Sequence, residues 1–385
     1  MAARAARRRP GPRGAPRPRA RRAPRGRRAV SGRPGPLRVL LHKPLRRERE
    51  PYFRVQQYVA ALGRLGHRAE LLDFERLKGS ALRRLAGVLR QLPLSVLAFA
   101  RHDVVFVTPH PLVPLYVLLA RLLGCRVIMD QILTYVSHRE VFPWFPQWLD
   151  AWTYRRAAGI LTHSETMRRE LLARFALEPA RLEVAYPVVD LTLFSRRYDA
   201  EAAALRRALG IEDRFVVLYH GMWHPWHGLP YVYEAARLLE EDPRIVFVVI
   251  PKDHEPDRKN LLFVEEQRFE RLPVYLQMAD AWCSGFDSDA RGERTFSSTL
   301  VQSLALGLPV ITGRTGERAT TLRDGVEARL LPLRDARAIA DAVLELAGSP
   351  ERARTMGARA RAFAETHFSI DRLDRALAAL LESVR

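Results

Sequence analysis

The chain has 385 residues, 48% of them hydrophobic, a formal net charge of +20 and two cysteines. That length exceeds one ordinary core and suits two domains, while Cys125 and Cys283, far apart among apolar neighbours, exclude a disulfide framework and read as core fillers in a reducing compartment. The charge is uneven: residues 1–36 hold 13 Arg and no Lys, Asp or Glu, which leaves 50 basic against 43 acidic residues in the rest.

Apart from Met1, Val30 and Ser31, segment 1–36 is made of Arg, Pro, Ala and Gly. It lacks the large apolar side chains needed to offset its ordering entropy, so it is expected to be disordered. No apolar run follows the arginines, so it is not a secretory signal, and its prolines forbid the amphipathic helix of a transit peptide. Without interleaved aromatic residues it makes a poor nucleic-acid arm, and nucleic acid is not an expected partner.

The pattern that follows is strand and helix in alternation. Strands are predicted at Leu37–His42, Ala69–Leu72, Asp103–Thr108, Arg126–Asp130, Ile160–His163 and Leu182–Ala185. Helices are predicted at Tyr52–Leu65, at 80–100 with a break near Pro93, at Leu112–Leu123, at 146–157 and at Glu165–Phe175. Residues 187–212 are polar, carry no strand run and read as a linker. The alternation then restarts with strands at Phe215–Tyr219, Ile245–Ile250, Ala281–Ser284, Pro309–Thr312 and Ala328–Leu331. Its helices are Pro230–Glu240, a short one around Tyr275–Ala279, Ser298–Leu306, and three more at 335–347, 350–365 and 369–384. Near-continuous apolar strands separated by helices indicate parallel sheets covered on both faces. The expected fold is α/β, with two Rossmann-like doubly wound domains facing a central cleft: 37–195 on the acceptor side, 196–368 on the nucleotide side, and a C-terminal helix at 369–385.

No segment reaches the ~18 uncharged apolar residues of a membrane span. The expected location is cytoplasmic. Helix 80–100, with Arg83, Arg84, Arg90 and Arg101 beside an apolar face, suits peripheral contact with an anionic membrane on its inner side.

Ligands of open parallel sheets bind beyond the carboxyl ends of the strands. In the second half, Phe296, Ser297, Ser298 and Thr299 lead from a loop into a helix. That junction offers free backbone N–H groups, hydroxyl donors and the positive helix end to a diphosphate. The loop His220–Gly228 supplies Gly221 and Gly228, where backbone can approach a phosphate, and three His with two Trp. Its ligand spacing matches no standard metal set. No G-x-G-x-x-G follows the first strand, which argues against a dehydrogenase.

The segment LVQSLALGLPVIT resembles the helix–turn–strand text LLEAMACGLPVVAT of family 4 (group 1) glycosyltransferases. The tail from Asp324-Gly325 through Leu331-Pro332, Asp335, Met356-Gly357 and Phe368-Ser369 stands at matching places. In the first half, RRAAGILTHSETMRREL resembles RADRVIAVSEAMRRDL, and the resemblance runs from about residue 37 to the end. It implies the GT-B fold and a retaining, metal-independent transfer of sugar from a nucleoside-diphosphate sugar, with no cofactor. The acceptor is expected to be a glycan or lipid-linked glycan, in bacterial surface polysaccharide or glycoconjugate biosynthesis.

The resemblance also implies site residues. The two hallmark glutamates, eight apart, are here Arg294 and Gln302. Glu293 is one residue out of register and supplies a carboxylate if the loop bulges. His227 takes the place of a diphosphate-clamping Lys, and Lys252 and Arg314 are further candidate cations with Arg294. Glu317 matches the glutamate of G-G-x-x-E and is expected to face the donor sugar. The histidine near the reacting sugar corresponds to His138 or His110, at strand ends of the first domain. The missing glutamates leave a second reading open, a catalytically degenerate binding subunit.

Overall fold

The computed structural model describes residues 35–43, 50–73, 92–131, 140, 143–221, 227–251, 258–284, 294 and 296–385. All of the Arg-rich segment but Gly35 and Pro36, and residues 80–91 of the basic helix, lie outside them.

The first lobe carries a six-stranded parallel sheet. Its strands are β1 (Arg38–Lys43), β2 (Arg68–Asp73), β3 (Val104–Val107), β4 (Arg126–Gln131), β5 (Gly159–Thr162) and β6 (Leu182–Val184), in the order β2-β1-β3-β4-β5-β6. Alternate side chains point to opposite faces. Val105, Val107, Val127, Met129 and Ile160 meet α2 (92–101), α3 (Val113–Leu122), α4 (Gln147–Arg156) and α5 (Glu165–Phe175) on one face. Val39, Leu41, Phe106, Ile128 and Leu161 meet α1 (Glu50–Arg64) on the other. Pro93 lies at the edge of the described part of α2, and the predicted break there falls beside residues outside the described set.

The second lobe repeats the plan. Its strands are β7 (Phe215–His220), β8 (Ile245–Ile250), β9 (Leu261–Phe263), β10 (Ala281–Ser284), β11 (Val310–Gly313) and β12 (Arg329–Leu331), again all parallel, in the order β12-β11-β10-β7-β8-β9. One face is filled by α6 (Asp199–Leu209), α8 (Leu272–Gln277), α9 (Ser298–Leu306) and α12 (Pro350–His367); α7 (Leu229–Leu238) and α11 (Ala336–Ala347) cover the other. Cys125 and Cys283 are both buried and free, as their apolar surroundings imply.

Three elements depart from the sequence pattern. The linker region contains α6, which buries Ala202 in the second lobe and ties Arg206 to Asp280. The three-residue edge strand β9 and the six-residue helix α10 (Gly316–Thr321) are too short for a periodic signal. The last helix, α13 (Ile370–Ser383), returns to the first lobe. There Leu373, Leu377, Leu380 and Leu381 pack against α1 and the β5–β6 edge. Asp374 of α13 accepts two hydrogen bonds from Arg64, both at 2.7 Å.

The lobes belong to one compact unit, Pro36–Arg385. The carboxyl ends of the two sheets are turned toward each other: Glu317, just beyond β11, reaches the first turn of α5, just beyond β5.

Candidate functional site

The ends of β7 and β10 and the start of α9 converge. Ser297 is the N-cap of α9; its hydroxyl accepts the Leu300 N–H. The amides of Ser298 and Thr299 have no intrahelical acceptor. Ser298, Thr299 and Gln302 are half-buried, while Leu300, Val301 and Ser303 are buried. The open face of α9 is therefore a polar, uncharged ledge at the positive end of a helix, which suits an anion.

The β7 turn lies against this ledge. Gly221 has φ of 133°, and a Cβ there would stand 2.9 Å from the Thr299 methyl carbon, so both conformation and space demand glycine. Gly228 has φ of 65° and begins α7. His227 is fixed by its carbonyl, which accepts from the Ser284 hydroxyl at 2.9 Å, and its Nδ1 is 3.4 Å from the Tyr219 hydroxyl. Gly221, Ser297, Ser298, Thr299 and Gln302 are thus brought together, while His227, followed by Gly228, is held at the ends of β7 and β10 by Tyr219 and Ser284.

Beneath Gln302 lies His220, whose Nε2 is 3.0 Å from the Gln302 amide oxygen and whose Nδ1 accepts from the Trp282 indole at 3.0 Å. Burial draws the His220 pKa down to about 4, so the ring is neutral.

Other expected site residues are placed differently. Phe296 is a core residue, edge-on to Tyr186 and Phe368, and its ring does not reach the ledge. Arg294 is not a free cation: it pairs with Glu140 at 2.7 Å and with Glu170 at 2.8 Å, both on the first lobe, and Arg174 also holds Glu140. Two carboxylates cancel the charge a diphosphate would need. Arg314 turns away to Asp324 at 3.0 Å and to the Leu330 carbonyl. It lines a shallow depression of about 460 Å³ with Arg329 and Glu345, apart from the α9 start.

Glu317 is fully buried. Its carboxylate accepts from the Glu165 and Thr166 amides at 3.2 and 2.8 Å and from the Tyr186 hydroxyl at 2.6 Å. Where the resemblance puts it toward the sugar, the geometry makes it a cap on α5, because a buried carboxylate is held by the donors nearest to it. His110 accepts the Leu112 N–H at Nδ1 and stands edge-on to Tyr116 at the start of α3. His138, Lys252 and Glu293 lie outside the described residues.

The first lobe also gathers a group around Asp130 whose other members, Arg54, Tyr58 and His163, the sequence did not single out. Arg54 donates to the Tyr58 hydroxyl and the Ala185 carbonyl, both at 2.8 Å, and Tyr58 donates to buried Asp130 at 3.2 Å. His163, at the end of β5, lies beside this group; burial first, then the Arg54 charge, draws its pKa down to about 3. The sequence signals were Asp130 at a strand end, an acceptor-side candidate by that position, and Arg54 and Tyr58 four apart on one helix. Among the described residues no group of three or more His, Cys, Asp or Glu is placed to hold a metal ion, and no helix is long and apolar enough to cross a membrane.

Comparison with known proteins agrees with this architecture. Residues 201–363 match the family described as Glycosyl transferases group 1, and residues 6–193 match Glycosyltransferase Family 4. The D-inositol 3-phosphate glycosyltransferase of Kribbella flavida is 28% identical over 223 residues, 52% of this chain and 51% of that protein. Spore coat protein SA of Bacillus subtilis is 21% identical over 251 residues, 59% of this chain and 66% of that protein. The matched stretch thus spans about half to two thirds of such relatives. Among solved structures, Anabaena Alr3699/HepE in complex with UDP-glucose superimposes with a TM-score of 0.70 at 14% identity, over 90% of this chain and all of that one. Sucrose-phosphate synthase of Thermosynechococcus elongatus gives 0.68 at 17% identity, over 90% of this chain and 99% of that one. The fold is GT-B, as the sequence resemblance implies.

Proposed function

Given that the chain belongs to the group 1 glycosyltransferases, we propose that it moves a sugar from a nucleoside-diphosphate sugar to a glycan or lipid-linked glycan. Retention of configuration, independence of divalent metal and a place in bacterial surface polysaccharide or glycoconjugate biosynthesis are parts of this reading. So is a cytoplasmic site of action in contact with an anionic membrane. The observation that carries it is the uncharged α9 ledge pressed against the Gly221 turn. The HepE neighbour was solved with UDP-glucose on the same fold, which supports a nucleotide-sugar donor.

With Arg294 and Arg314 committed to carboxylates, charge on the departing diphosphate falls, among the described candidates, to the α9 amides, the Ser298 and Thr299 hydroxyls and His227. Fixed dipoles aimed at developing charge stabilise it without reorganising. One observation favours a second reading, binding without transfer: Arg294 stands at the first hallmark position and is held by first-lobe acids.

The test is a melting-temperature panel of UDP-, GDP-, dTDP- and ADP-sugars against the wild type and Ser298→Asp. An aspartate in the first helical turn favours the helix but repels phosphate. At least one sugar nucleotide is expected to stabilise the wild type, by about 2.7 kcal/mol at a hundredfold excess over Kd. Ser298→Asp should fold as well as the wild type and lose that shift. No shift with any of the four sinks the proposal, and a shift without transfer or hydrolysis favours the second reading.

A further inference from the structure

A chain of two hydrogen bonds in the second lobe has its direction set from the core end. It begins at Trp282, nearly inaccessible on β10, whose indole N–H lies 3.0 Å from His220 Nδ1. An indole nitrogen can only donate, so Nδ1 must present a lone pair. Burial keeps the ring neutral, with a pKa of about 4, so its single proton sits on Nε2. Nε2 is 3.0 Å from the Gln302 side-chain oxygen, and only that oxygen, not the amide nitrogen, can meet a donor. Gln302 therefore turns its NH2 group away from His220. It is half-buried on the same face of α9 as Ser298 and Thr299, and its amide nitrogen has no partner among the described residues.

We infer that Gln302 is a specificity-determining residue that meets the nucleotide as a hydrogen-bond donor, with His220 and Trp282 as the positioning residues that hold it so. The inference rests on the reading of the α9 ledge as a nucleotide site. A carboxylate at this position, as the family text has, can only accept. Here the polarity is reversed: the ligand must offer lone pairs, from ribose or phosphate oxygens. The ledge becomes a row of donors with no negative charge to oppose a diphosphate.

The experiment measures Kd by calorimetry, with the tighter of UDP and GDP as probe, for the full chain as wild type, Trp282→Phe, Gln302→Glu and the double variant. Phenylalanine removes the indole donor; His220 is then free to carry its proton on Nδ1, and the Gln302 amide to turn its oxygen outward. Trp282→Phe is expected to weaken binding about 3- to 10-fold, the worth of one neutral hydrogen bond. In the Gln302→Glu background it should have no further effect, because a carboxylate accepts whichever way it turns. If Trp282 acts only through packing, the loss is equal in both backgrounds, and that result overturns the inference.

A second readout survives even if the core variant fails to fold. Nitrogen-15 spectra of the wild type, with the His220 signals assigned by their absence in His220→Gln, are expected to show the Nε2–H tautomer; an Nδ1–H tautomer overturns the inference. If neither UDP nor GDP binds, dTDP and ADP replace them as probes; if none of the four binds, the proposed function and this inference fall together. Binding with additive losses sinks the inference alone.

Discussion

Glu317 puts a negative charge in a fully buried place and finds donors from both lobes there: two α5 amides, the Tyr186 hydroxyl and, at 3.4 Å, the Thr321 hydroxyl. The Tyr186 pKa is pushed up, chiefly by burial and then by this neighbouring carboxylate. Removing the acceptor strands these donors, so Glu317→Ala is expected to cost about 3 kcal/mol or more in urea unfolding without any ligand. A variant with unchanged stability but lost sugar-nucleotide binding would instead put Glu317 in the pocket. Gly357 shows the same gap between text and reason. Met356-Gly357 is legible as a family match, yet its cause is visible only in space: a Cβ at Gly357 would stand 2.2 Å from the Gly307 carbonyl oxygen, where α12 crosses α9.

Helix α5 is held from the second lobe at two points, its first turn by Glu317 and its middle by Arg294 through Glu170. The span of α5, Glu165–Phe175, was legible from the alternation of strand and helix; its partners, 124 and more residues away, were not. On the same lobe, the outer faces of α2, α3 and α4 expose apolar side chains. Leu94 and Leu97 lie on α2, Leu118 and Leu122 on α3, and Trp148 on α4, with Trp144 just before it; Trp144 and Trp148 are 70% and 71% exposed. Arg101 and Arg121 are exposed beside them, and the described parts of α2 and α3 hold no Asp or Glu. Such a face suits the interface of an anionic bilayer, where Trp and Leu enter the headgroup boundary and Arg meets lipid charge. Co-sedimentation is expected with phosphatidylglycerol vesicles and not with phosphatidylcholine vesicles. Leu118→Glu with Leu122→Glu should lower the partition at least about tenfold, since burying each Leu is worth about 1.5–3 kcal/mol. Equal partition of wild type and variant would remove this face from the account.

At the scale of the whole molecule, three buried histidines among the described residues are kept neutral: His220 near 4, His163 near 3 and His42 near 2, each drawn down chiefly by burial. An unfolded histidine titrates near 6.5. As pH falls below that value the unfolded chain takes up protons the folded chain refuses, so stability falls, and the loss ends only as pH passes each folded value. Each ring removes up to about 1.4 kcal/mol per pH unit in this window. Urea unfolding at pH 7, 6 and 5 is expected to show stability decreasing at each step below 6.5, with a shallower slope for His163→Phe. Stability that stays level from pH 7 to 5 would contradict the neutral burial of these rings.

Two parallel sheets, their restart after residue 212, the cap at Ser297 and the glycine at 307 were all legible in the chain, because hydrophobic period, capping and left-handed turns act within a few residues. The convergence of Gly221 with Thr299 was anticipated from the rule that ligands sit beyond strand ends. The fates of Arg294, Glu317, Phe296 and α13 were not, and neither was the Trp282–His220–Gln302 relay. Charge, burial and hydrogen-bond direction are settled by whichever groups the fold brings alongside. In this protein those groups come from the other lobe, or from a neighbouring strand distant in the chain, where nothing local in the sequence announces them.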